Sequence, residues 1–218
     1  TVAIQGFGNA GGILADLMYQ AGYKIVAVSD SQGGIYSKKG LDIPSVRKTK
    51  EATRGIRVPY CDGSVCETAD DQEVISNEDL LKLDVDVLIP AALENQITEL
   101  NAPDIQAKLV FEVANGPTTS AADQILESKG IYVFPDILVN AGGVTVSYFE
   151  WVQNRSGLYW TLDEVNHRLQ SRIVEEAERI WSISRELAIP MRTAAYVHAI
   201  SRLGEAISAK GTRDYYIN

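Results

Sequence analysis

The sequence predicts an α/β fold: a doubly wound, mostly parallel sheet with helices on both faces and a helical C-terminal extension. Short β-branched runs alternate with helical stretches, and most of these runs are rich in consecutive apolar residues. Only helical patterns follow residue 135. Strands that are buried on both faces of a parallel sheet have such apolar runs. The predicted strands are 2–4, 25–28, 85–89, 109–113 and 131–134.

Two helices are predicted between these strands. The first spans residues 10–21, and Gly22 is placed to end it. Its expected core-facing residues recur at helical spacing: Ile13, Leu14, Leu17 and Met18. The second helix is predicted to begin near Ser120 and to end at Gly130. Residues 55–77 are largely polar, so we expect a loop-rich excursion there.

The last part of the chain is predicted to be helical. Thr161 and Glu164 form a capping box, in which each side chain accepts a backbone N–H at the start of a helix. One face of that helix is apolar: Val165, Leu169, Ile173, Ala177, Ile180 and Trp181. Pro190 suits the first turn of a last helix. We expect this helix to expose an apolar face: Ala194, Val197, Ile200, Leu203 and Ile207.

Charge and cysteine content limit the function classes. A net charge of −9 argues against nucleic-acid and anionic-membrane partners, because no basic stripe is present to neutralise phosphates. Cys61 and Cys66 lie in the loop-rich excursion, either as free thiols or as a disulfide. A metal site is not expected, since His167 and His198 are distant in sequence. Two cysteines in a chain of this size fit a reducing compartment, so we expect a cytoplasmic protein.

A glycine-rich turn follows the first predicted strand. In Gly6-Phe7-Gly8-Asn9-Ala10-Gly11, the three glycines have the spacing of a dinucleotide-binding turn between a strand and a helix. Gly6 permits the tight turn, Gly8 lets backbone approach a pyrophosphate, and Gly11 lets helix and strand approach each other. The first N–H groups of the helix then bind phosphate at the positive end of the helix dipole. The motif predicts a Rossmann-like fold. A turn needed only for chain reversal is the structural alternative.

Asp30 ends the second predicted strand, where a carboxylate can accept hydrogen bonds from an adenosine ribose. An acid there favours NAD over NADP, because a 2′-phosphate would meet a like charge. Ser31 and Lys38-Lys39 follow closely, and they could accommodate a phosphate. The expected cofactor is therefore NAD, with NADP possible.

Two further turns end predicted strands at the edge where open α/β sheets bind ligands. In Ala114-Asn115-Gly116-Pro117, Asn115 offers both a donor and an acceptor, although the sequence also suits a plain turn. Pro90-Ala91-Ala92 offers small side chains that a flat ring could approach, or that simply pack. Residues 135–151 contain two glycines between a polar residue and a helix, which again indicates close backbone approach to a small ligand.

Together these segments resemble the hexameric glutamate dehydrogenases, within the family of glutamate, leucine, phenylalanine and valine dehydrogenases. The resemblance covers nearly the whole chain in order. It is carried by Gly-Phe-Gly-Asn-Ala-Gly at 6–11, Ser-Asp-Ser at 29–31, Ala-Asn-Gly-Pro at 114–117, Asn-Ala-Gly-Gly-Val-Thr-Val-Ser-Tyr-Phe-Glu-Trp at 140–151 and Met-Arg-Thr-Ala-Ala-Tyr at 191–196. Leucine, valine and phenylalanine dehydrogenases usually lack the Gly-Pro and the Ser-Tyr-Phe-Glu-Trp continuation.

The resemblance implies site residues. Those implied for the pyrophosphate are Gly6, Phe7, Gly8, Asn9, Ala10 and Gly11. Asp30 and Ser31 are implied for the adenosine ribose. Those implied for the nicotinamide side are Ala91, Ala92, Asn115 and Asn140, the last bonding the carboxamide. Val144 and Ser147 share a helix face and are implied to contact the substrate, with the Ser147 hydroxyl donating to the distal carboxylate of glutamate. A hydroxyl that bonds to its own helix is the structural alternative for Ser147.

The resemblance also implies the reaction. The parent protein would interconvert L-glutamate with 2-oxoglutarate and ammonia, as a homo-hexamer. No Lys-Gly-Gly-type segment occurs here, so we expect the catalytic Lys and Asp in an N-terminal substrate domain that precedes this chain. The first predicted strand begins with no loop before it, which also indicates part of a longer protein. We expect residues 1–190 to form the dinucleotide-binding domain and 191–218 a helix that returns toward the substrate domain.

The resemblance leaves one expectation for the isolated chain and two alternative functions. The chain alone is expected to bind dinucleotide without turnover, so no catalytic residue is assigned to it. A leucine, valine or phenylalanine dehydrogenase is one alternative, which Ser147 argues against because an apolar pocket would not place a hydroxyl there. A non-catalytic module that senses NAD through its helices is another.

Overall fold

The computed structural model describes residues 1–56, 60–62, 65–67 and 72–209, without the side chains of 60–62 and 65–67. The chain divides into two compact units, Thr1–Asp136 and Ile137–Asn218. The boundary expected at 190/191 falls inside the second unit, and as a functional division it stays a prediction. The pairing of Cys61 and Cys66 lies outside the described side chains.

A seven-stranded sheet forms the centre of the first unit, in the order β6-β3-β2-β1-β7-β8-β9. Strands β2, β1, β7, β8 and β9 are parallel, whereas β3 and β6 are antiparallel to their neighbours. A separate hairpin pairs β4 with β5. The strands are β1 Val2–Gln5, β2 Ile25–Asp30, β3 Gly33–Tyr36, β4 Tyr60–Asp62, β5 Val65–Glu67, β6 Glu73–Ile75, β7 Val87–Pro90, β8 Leu109–Phe111 and β9 Tyr132–Phe134.

Helices cover both faces of this sheet. They are α1 Asn9–Gln20, α2 Ile43–Thr53, α3 Asn77–Leu81 and α4 Ser120–Ser128. Adjacent residues of one strand alternate between two cores. Ala3 packs in the core that includes α3 and α4, whereas Ile4 packs in the core that includes α1 and α2. The predicted Rossmann-like, doubly wound fold is therefore confirmed.

The second unit is helical, as predicted. It contains α6 Ala141–Ser156, α7 Leu162–Leu187 and α8 Met191–Ala209, and the short α5 Asp136–Val139 spans the boundary. The capping box is confirmed, because Glu164 N–H donates to Thr161 Oγ1 at 3.3 Å and Thr161 N–H donates to Glu164 Oε2 at 2.7 Å. The hydrogen bonds that the Thr161 N–H and then the Thr161 hydroxyl donate to the Glu164 carboxylate lower the pKa of Glu164. Pro190 directly precedes α8, and its carbonyl accepts Ala194 N–H at 2.9 Å.

Some sequence-based expectations were wrong in detail. On α1, Ile13 and Leu17 are 58% and 59% exposed, because Gly11, Gly12 and Ala15 lie on the buried side. The small residues let this helix approach the sheet closely. The run 109–113 is not a continuous strand, since β8 ends at Phe111 and is followed by a buried acid.

The predicted apolar stripe of α7 is mostly half-buried, apart from Ile180, which is buried, and Trp181, which is 40% exposed. The predicted apolar stripe of α8 is more exposed than that of α7. Ala194 is buried, but Ile200 and Leu203 are each 64% exposed. The expected exposure of an apolar face on α8 is confirmed for the described residues.

Candidate dinucleotide-binding site

The turn between β1 and α1 requires glycine at its first position. Gly6 has a φ of +99°, a conformation that L side chains rarely adopt. A Cβ atom there would lie 2.8 Å from the carbonyl carbon and oxygen of Ala91. Gly6 therefore brings the turn into direct contact with the backbone that follows β7.

Gly11 is constrained from inside the molecule, whereas Gly8 is not. A Cβ atom at Gly11 would lie 1.9 Å from the carbonyl oxygen of Gly6. Gly8 has ordinary extended backbone, with φ −87° and ψ −156°. A Cβ atom at Gly8 would meet no atom of the residues that the structure describes within 4 Å. The space beside Gly8 is thus open to something outside the chain.

Backbone donors of the turn divide into two groups. The N–H groups of Gly6 and Phe7 both donate to Ser29 O, at 3.0 and 2.6 Å, so they shape the turn. The first N–H groups of an α-helix have no acceptor within the helix. No side chain caps α1, and its first turn contains no acid. Asn9, Ala10 and Gly11 therefore present N–H groups at the positive end of the helix dipole, which fits a pyrophosphate.

Two cations from α2 reinforce this electrostatic preference. Lys50 Nζ donates to the Phe7 carbonyl and lies 5.5 Å from the centre of the Phe7 ring. The Arg47 guanidinium lies 5.7 Å from the same ring, and it pairs with Asp16. Phe7 itself is 2% exposed, so its side chain belongs to the core and only its backbone faces the turn. Helix α2, which the sequence analysis missed, thus places positive charge beside the glycine turn.

Asp30 ends β2, as predicted, and both of its carboxylate oxygens accept backbone N–H groups. Oδ1 accepts from Gln32 at 2.9 Å, and Oδ2 accepts from Ile56 at 3.2 Å. A carboxylate has about four acceptor positions, so these contacts orient Asp30 and leave capacity for ribose hydroxyls. Ser31 is exposed in the two-residue turn between β2 and β3.

The suggested phosphate role of Lys38 and Lys39 is wrong. Strand β3 runs antiparallel to β2, from Gly33 opposite Asp30 to Tyr36 opposite Ala27. The chain then remains at the beginning of β2, where Leu41 N–H donates to Ile25 O at 2.7 Å. The length of β2, which is about 15 Å at ~3.3 Å per residue, therefore separates both lysines from Asp30.

The turn after β7 lies next to the glycine turn and the turn after β8 lies next to the turn after β7, as predicted for the carboxyl ends of neighbouring parallel strands. Ala91 N–H donates to Gln5 O at 2.8 Å, and Ala114 N–H donates to Pro90 O at 3.0 Å. Ala91 is half-buried, whereas Ala92 and Asn115 are exposed. The first unit thus brings the glycine turn, Ala91, Ala92 and Asn115 to one edge of the sheet.

The sequence analysis missed two acids at this edge. Glu112 is fully buried, and its Oε2 accepts Asp136 N–H at 2.9 Å. Asp136 Oδ2 accepts the N–H of Gly116, the residue after Asn115, at 2.8 Å. The available signal was an acid inside an otherwise apolar run, because Glu is rarely buried without a partner.

The other predicted site residues belong to the second unit. Asn140 precedes α6 with a φ of −96° and a ψ of 5°. Val144 is 71% exposed on α6, and Ser147 is also exposed. Two hydroxyls bond back to this helix, that of Thr145 to Ala141 O at 2.8 Å and that of Ser156 to Gln153 O at 3.3 Å. The Ser147 hydroxyl is therefore presented at the surface of α6.

Neither a metal site nor a membrane span emerges from the residues that the structure describes. No three His, Cys, Asp or Glu side chains among them are grouped so that they could hold a metal ion. None of their helices combines the length and apolar character needed to cross a membrane.

The model of one family, described as Glutamate/Leucine/Phenylalanine/Valine dehydrogenase, matches residues 1–211. The chain belongs to this family. The match confirms the resemblance that was inferred from the motifs, and its range includes every candidate site residue from Gly6 to Ser147.

Curated members of the family are similar to this chain over nearly its whole length. The NADP-specific glutamate dehydrogenase of Synechocystis sp. is 66% identical over 216 residues, covering 99% of this chain and 50% of that protein. The NAD-specific glutamate dehydrogenase of Staphylococcus aureus is 46% identical over 210 residues, covering 96% of this chain and 48% of that protein. This chain thus spans about half the length of the curated relatives it matches.

Solved structures of the dehydrogenase family share the fold. The glutamate dehydrogenase of Peptoniphilus asaccharolyticus is 34% identical with a TM-score of 0.77, covering 96% of this chain and 47% of that one. The hetero-hexameric glutamate dehydrogenase of Thermus thermophilus, in a Leu-bound form, is 31% identical with a TM-score of 0.83, again covering 96% and 47%.

Proposed function

We propose that this chain is the dinucleotide-binding part of an enzyme that reversibly oxidises L-glutamate to 2-oxoglutarate and ammonia. The open space beside Gly8, in front of the uncapped start of α1, is the observation that carries the proposal. It fits a diphosphate because the surrounding N–H groups and the helix dipole compensate a negative charge. The names of the curated relatives, which are glutamate dehydrogenases, support the substrate.

Each candidate residue has a role in this proposal. The bound nicotinamide ring would accept or donate the hydride. Residues 6–11 hold the pyrophosphate, and Asp30 with Ser31 holds the adenosine ribose. The nicotinamide side is formed by small and amide side chains: Ala91, Ala92, Asn115 and Asn140. Val144 and Ser147 contact the substrate side chain, with Ser147 donating to the distal carboxylate.

NAD is the proposed cofactor, since a carboxylate at Asp30 disfavours a 2′-phosphate. The relatives include an NADP-specific and an NAD-specific enzyme, so their names favour neither dinucleotide for this chain. Titration of the chain with NADH and with NADPH tests the preference by intrinsic fluorescence or calorimetry. We expect tighter binding of NADH. Equal or tighter binding of NADPH would overturn the NAD assignment, and binding of neither would overturn the dinucleotide site.

The acid–base residues are proposed to lie in an N-terminal substrate domain, which supplies a Lys and an Asp. In this division, residues 1–190 bind the dinucleotide and 191–218 return toward that domain. Hydride transfer needs the reacting atoms about 3–3.5 Å apart in a closed cleft, and this chain encodes one wall. The chain alone should bind cofactor without oxidising glutamate. The longer protein, which we propose to be a homo-hexamer, should oxidise it, and ordinary turnover by the chain alone would contradict this division.

Ser147 tests the substrate in the longer protein. A hydrogen bond to a charged group contributes about 1.5–3 kcal/mol, so Ser147→Ala should lower kcat/KM for glutamate roughly ten- to hundredfold. Norvaline has no distal carboxylate, and its kcat/KM should change little. If Ser147→Ala affects both substrates equally, or if the enzyme prefers leucine or phenylalanine, the glutamate assignment is wrong.

A further inference from the structure

Glu112 is a carboxylate with no exposure to solvent, located just after β8. Burial of a charged or polar group costs free energy unless hydrogen bonds replace its contacts with water. Glu112 Oε2 accepts Asp136 N–H at 2.9 Å. An apolar residue of similar size would avoid the cost of desolvating Glu112. It would, however, leave the Asp136 N–H without this acceptor. The Glu112 carboxylate therefore helps to hold the backbone of Asp136 in place.

Asp136 in turn holds the Asn115 turn, which we define as residues 114–117. Its Oδ2 accepts Gly116 N–H at 2.8 Å. That N–H belongs to the peptide group that joins Asn115 to Gly116. Gly116 has a φ of +52°, so this peptide sits in a conformation that Gly tolerates best. The Asp136 carboxylate thus fixes the peptide plane adjacent to Asn115.

Backbone groups also hold the Asn115 turn. Asn95 N–H donates to Gly116 O at 2.9 Å, and Ile97 N–H donates to Pro117 O at 2.8 Å. At its start, Ala114 N–H donates to Pro90 O at 3.0 Å. These bonds anchor the turn to neighbouring loops through the N–H of Ala114 and the carbonyls of Gly116 and Pro117. The bond from Gly116 N–H to Asp136 adds a side-chain contact to the same residue whose carbonyl accepts Asn95 N–H, so the Asp136 carboxylate helps to fix the turn.

We propose that Glu112 and Asp136 are positioning residues that set the orientation of Asn115 for the nicotinamide half of the dinucleotide. The inference rests on the proposed function, because it assigns Asn115 to the nicotinamide side. Neither acid touches the cofactor in this proposal. Glu112 fixes Asp136, and Asp136 fixes the Asn115 turn, so their effect should be confined to ligands that carry a nicotinamide ring.

The test compares two ligands on variants of the chain. NADH carries the nicotinamide ring, and ADP-ribose lacks it but keeps the adenosine and diphosphate. Asp136→Ala removes the acceptor for Gly116 N–H, whereas Asp136→Asn keeps an acceptor oxygen there. Loss of one hydrogen bond corresponds to about tenfold in affinity, so Asp136→Ala should weaken NADH binding by ~10-fold. Its ADP-ribose affinity should stay within about twofold, and Asp136→Asn should bind both ligands like the wild type.

Glu112→Gln and Glu112→Leu apply the same comparison to the residue that holds Asp136. Gln keeps an acceptor for Asp136 N–H, so it should preserve NADH affinity, whereas Leu should reduce it. Thermal unfolding monitored by circular dichroism identifies variants that fail to fold. Asp136 is less buried than Glu112, so its variants are more tolerable to the fold. If Glu112→Leu does not fold, Asp136→Ala and Asp136→Asn decide whether the positioning role is correct.

The possible failures are distinguishable. An unchanged NADH affinity in Asp136→Ala, or an equal loss for NADH and ADP-ribose, would overturn the positioning role while the dinucleotide site stands. The same loss in Asp136→Asn as in Asp136→Ala would also overturn it, because the acceptor oxygen would then not be the cause. If the wild-type chain binds neither ligand, the proposed function fails, and the positioning role fails with it.

Discussion

Gly6, Gly8 and Gly11 meet three different physical demands. Gly6 and Gly11 are excluded from carrying a Cβ by backbone atoms of the chain itself, at 2.8 and 1.9 Å. Gly8 has open space around its Cβ position and a backbone conformation that any residue can adopt. Gly6 and Gly11 therefore serve the fold, and Gly8 is free to serve a ligand.

Alanine substitutions at Gly8 and Gly11 should separate these demands. Gly11→Ala should destabilise the chain by about 1–3 kcal/mol, because overpacking against backbone forces the structure to shift. Gly8→Ala should keep the wild-type unfolding midpoint but weaken dinucleotide binding by tenfold or more, about 1.4 kcal/mol. Chemical denaturation and ligand titration measure the two effects. The opposite pattern, a stable Gly11→Ala and a destabilised Gly8→Ala, would contradict these roles.

At the residue scale, the sequence predicted where Asp30 and Asn115 lie but not what they contact. Both positions followed from strands that end at the same edge of a sheet. The hydrogen bond from Gln32 to Asp30 spans only two residues, but the one from Ile56 depends on a long excursion of the chain, and no local pattern specifies where that excursion returns. The burial of Glu112 likewise depends on residues far away in sequence.

Helices α7 and α8 are joined by a polar cluster around Glu176. Its Oε2 lies 2.6 Å from His198 Nε2, and its Oε1 accepts from Arg202 Nη1 at 2.9 Å. Arg172, one turn earlier on α7, lies 3.3 Å from the same oxygen. The side chains of Glu176 and His198 are 16% and 15% exposed. One carboxylate thus compensates three basic groups where the helices meet.

This cluster should make the second unit sensitive to acid. Burial raises the pKa of Glu176, but the hydrogen bond from His198 and the charges of Arg202, His198 and Arg172 outweigh it, so the pKa lies below the ordinary 4.5. A lowered pKa in the folded state contributes stability above pH 4.5, and this contribution is lost as the pH falls through the folded value.

Glu176→Gln should therefore be less stable than the wild type at pH 7, and the difference should shrink as the pH falls below 4.5. The measurement is denaturant unfolding monitored on α-helical signal between pH 3 and pH 7. Glu175→Gln is the control, because Glu175 is 48% exposed, so solvent weakens its ion pairs with Arg179 and Arg172 on the same helix. A pH-independent difference for Glu176→Gln would show that its ionisation is not the cause.

At the element scale, long and strongly patterned segments were predicted and short polar ones were missed. The parallel strands and α1, α4, α7 and α8 have apolar periodicity or caps that act locally. Strand β3 was missed because it begins with two glycines, a residue type depleted in strands. In the fold, Gly34 packs closely against β2, since a Cβ there would lie 3.0 Å from Val28 O. Helix α2 buries only Ile43, Val46 and Thr49, too few to indicate a helix.

The second unit presents much apolar surface. On α8, Ile200 and Leu203 are each 64% exposed, and Tyr196 is 52% exposed. On α6, Tyr148 and Trp151 are 58% and 55% exposed. Where exposed apolar side chains such as these form a large contiguous patch, they mark an interaction surface or an aggregation liability.

The apolar face of α8 should bind a hydrophobic dye in the isolated chain. Ile200→Gln combined with Leu203→Gln should lower the fluorescence of bound anilinonaphthalene sulfonate and reduce concentration-dependent light scattering. Leu100→Gln is the control, because Leu100 is 86% exposed on the first unit and should contribute little. Equal dye binding by the double variant and the wild type would contradict the prediction.

The sequence by itself determined the parallel core, the glycine turn and the capped helices, because each depends on spacing or backbone preference over a few residues. Only the tertiary structure decided which charges lie at the edge of the sheet that carries the glycine turn. The reversal of β3 removes Lys38 and Lys39 from Asp30, and α2 places Lys50 beside Phe7 instead. The contact between Glu112 and Asp136 was decided in the same way, since it joins the chain just after β8 to the chain just after the neighbouring strand β9. Such contacts depend on distant segments that meet only when the chain has folded.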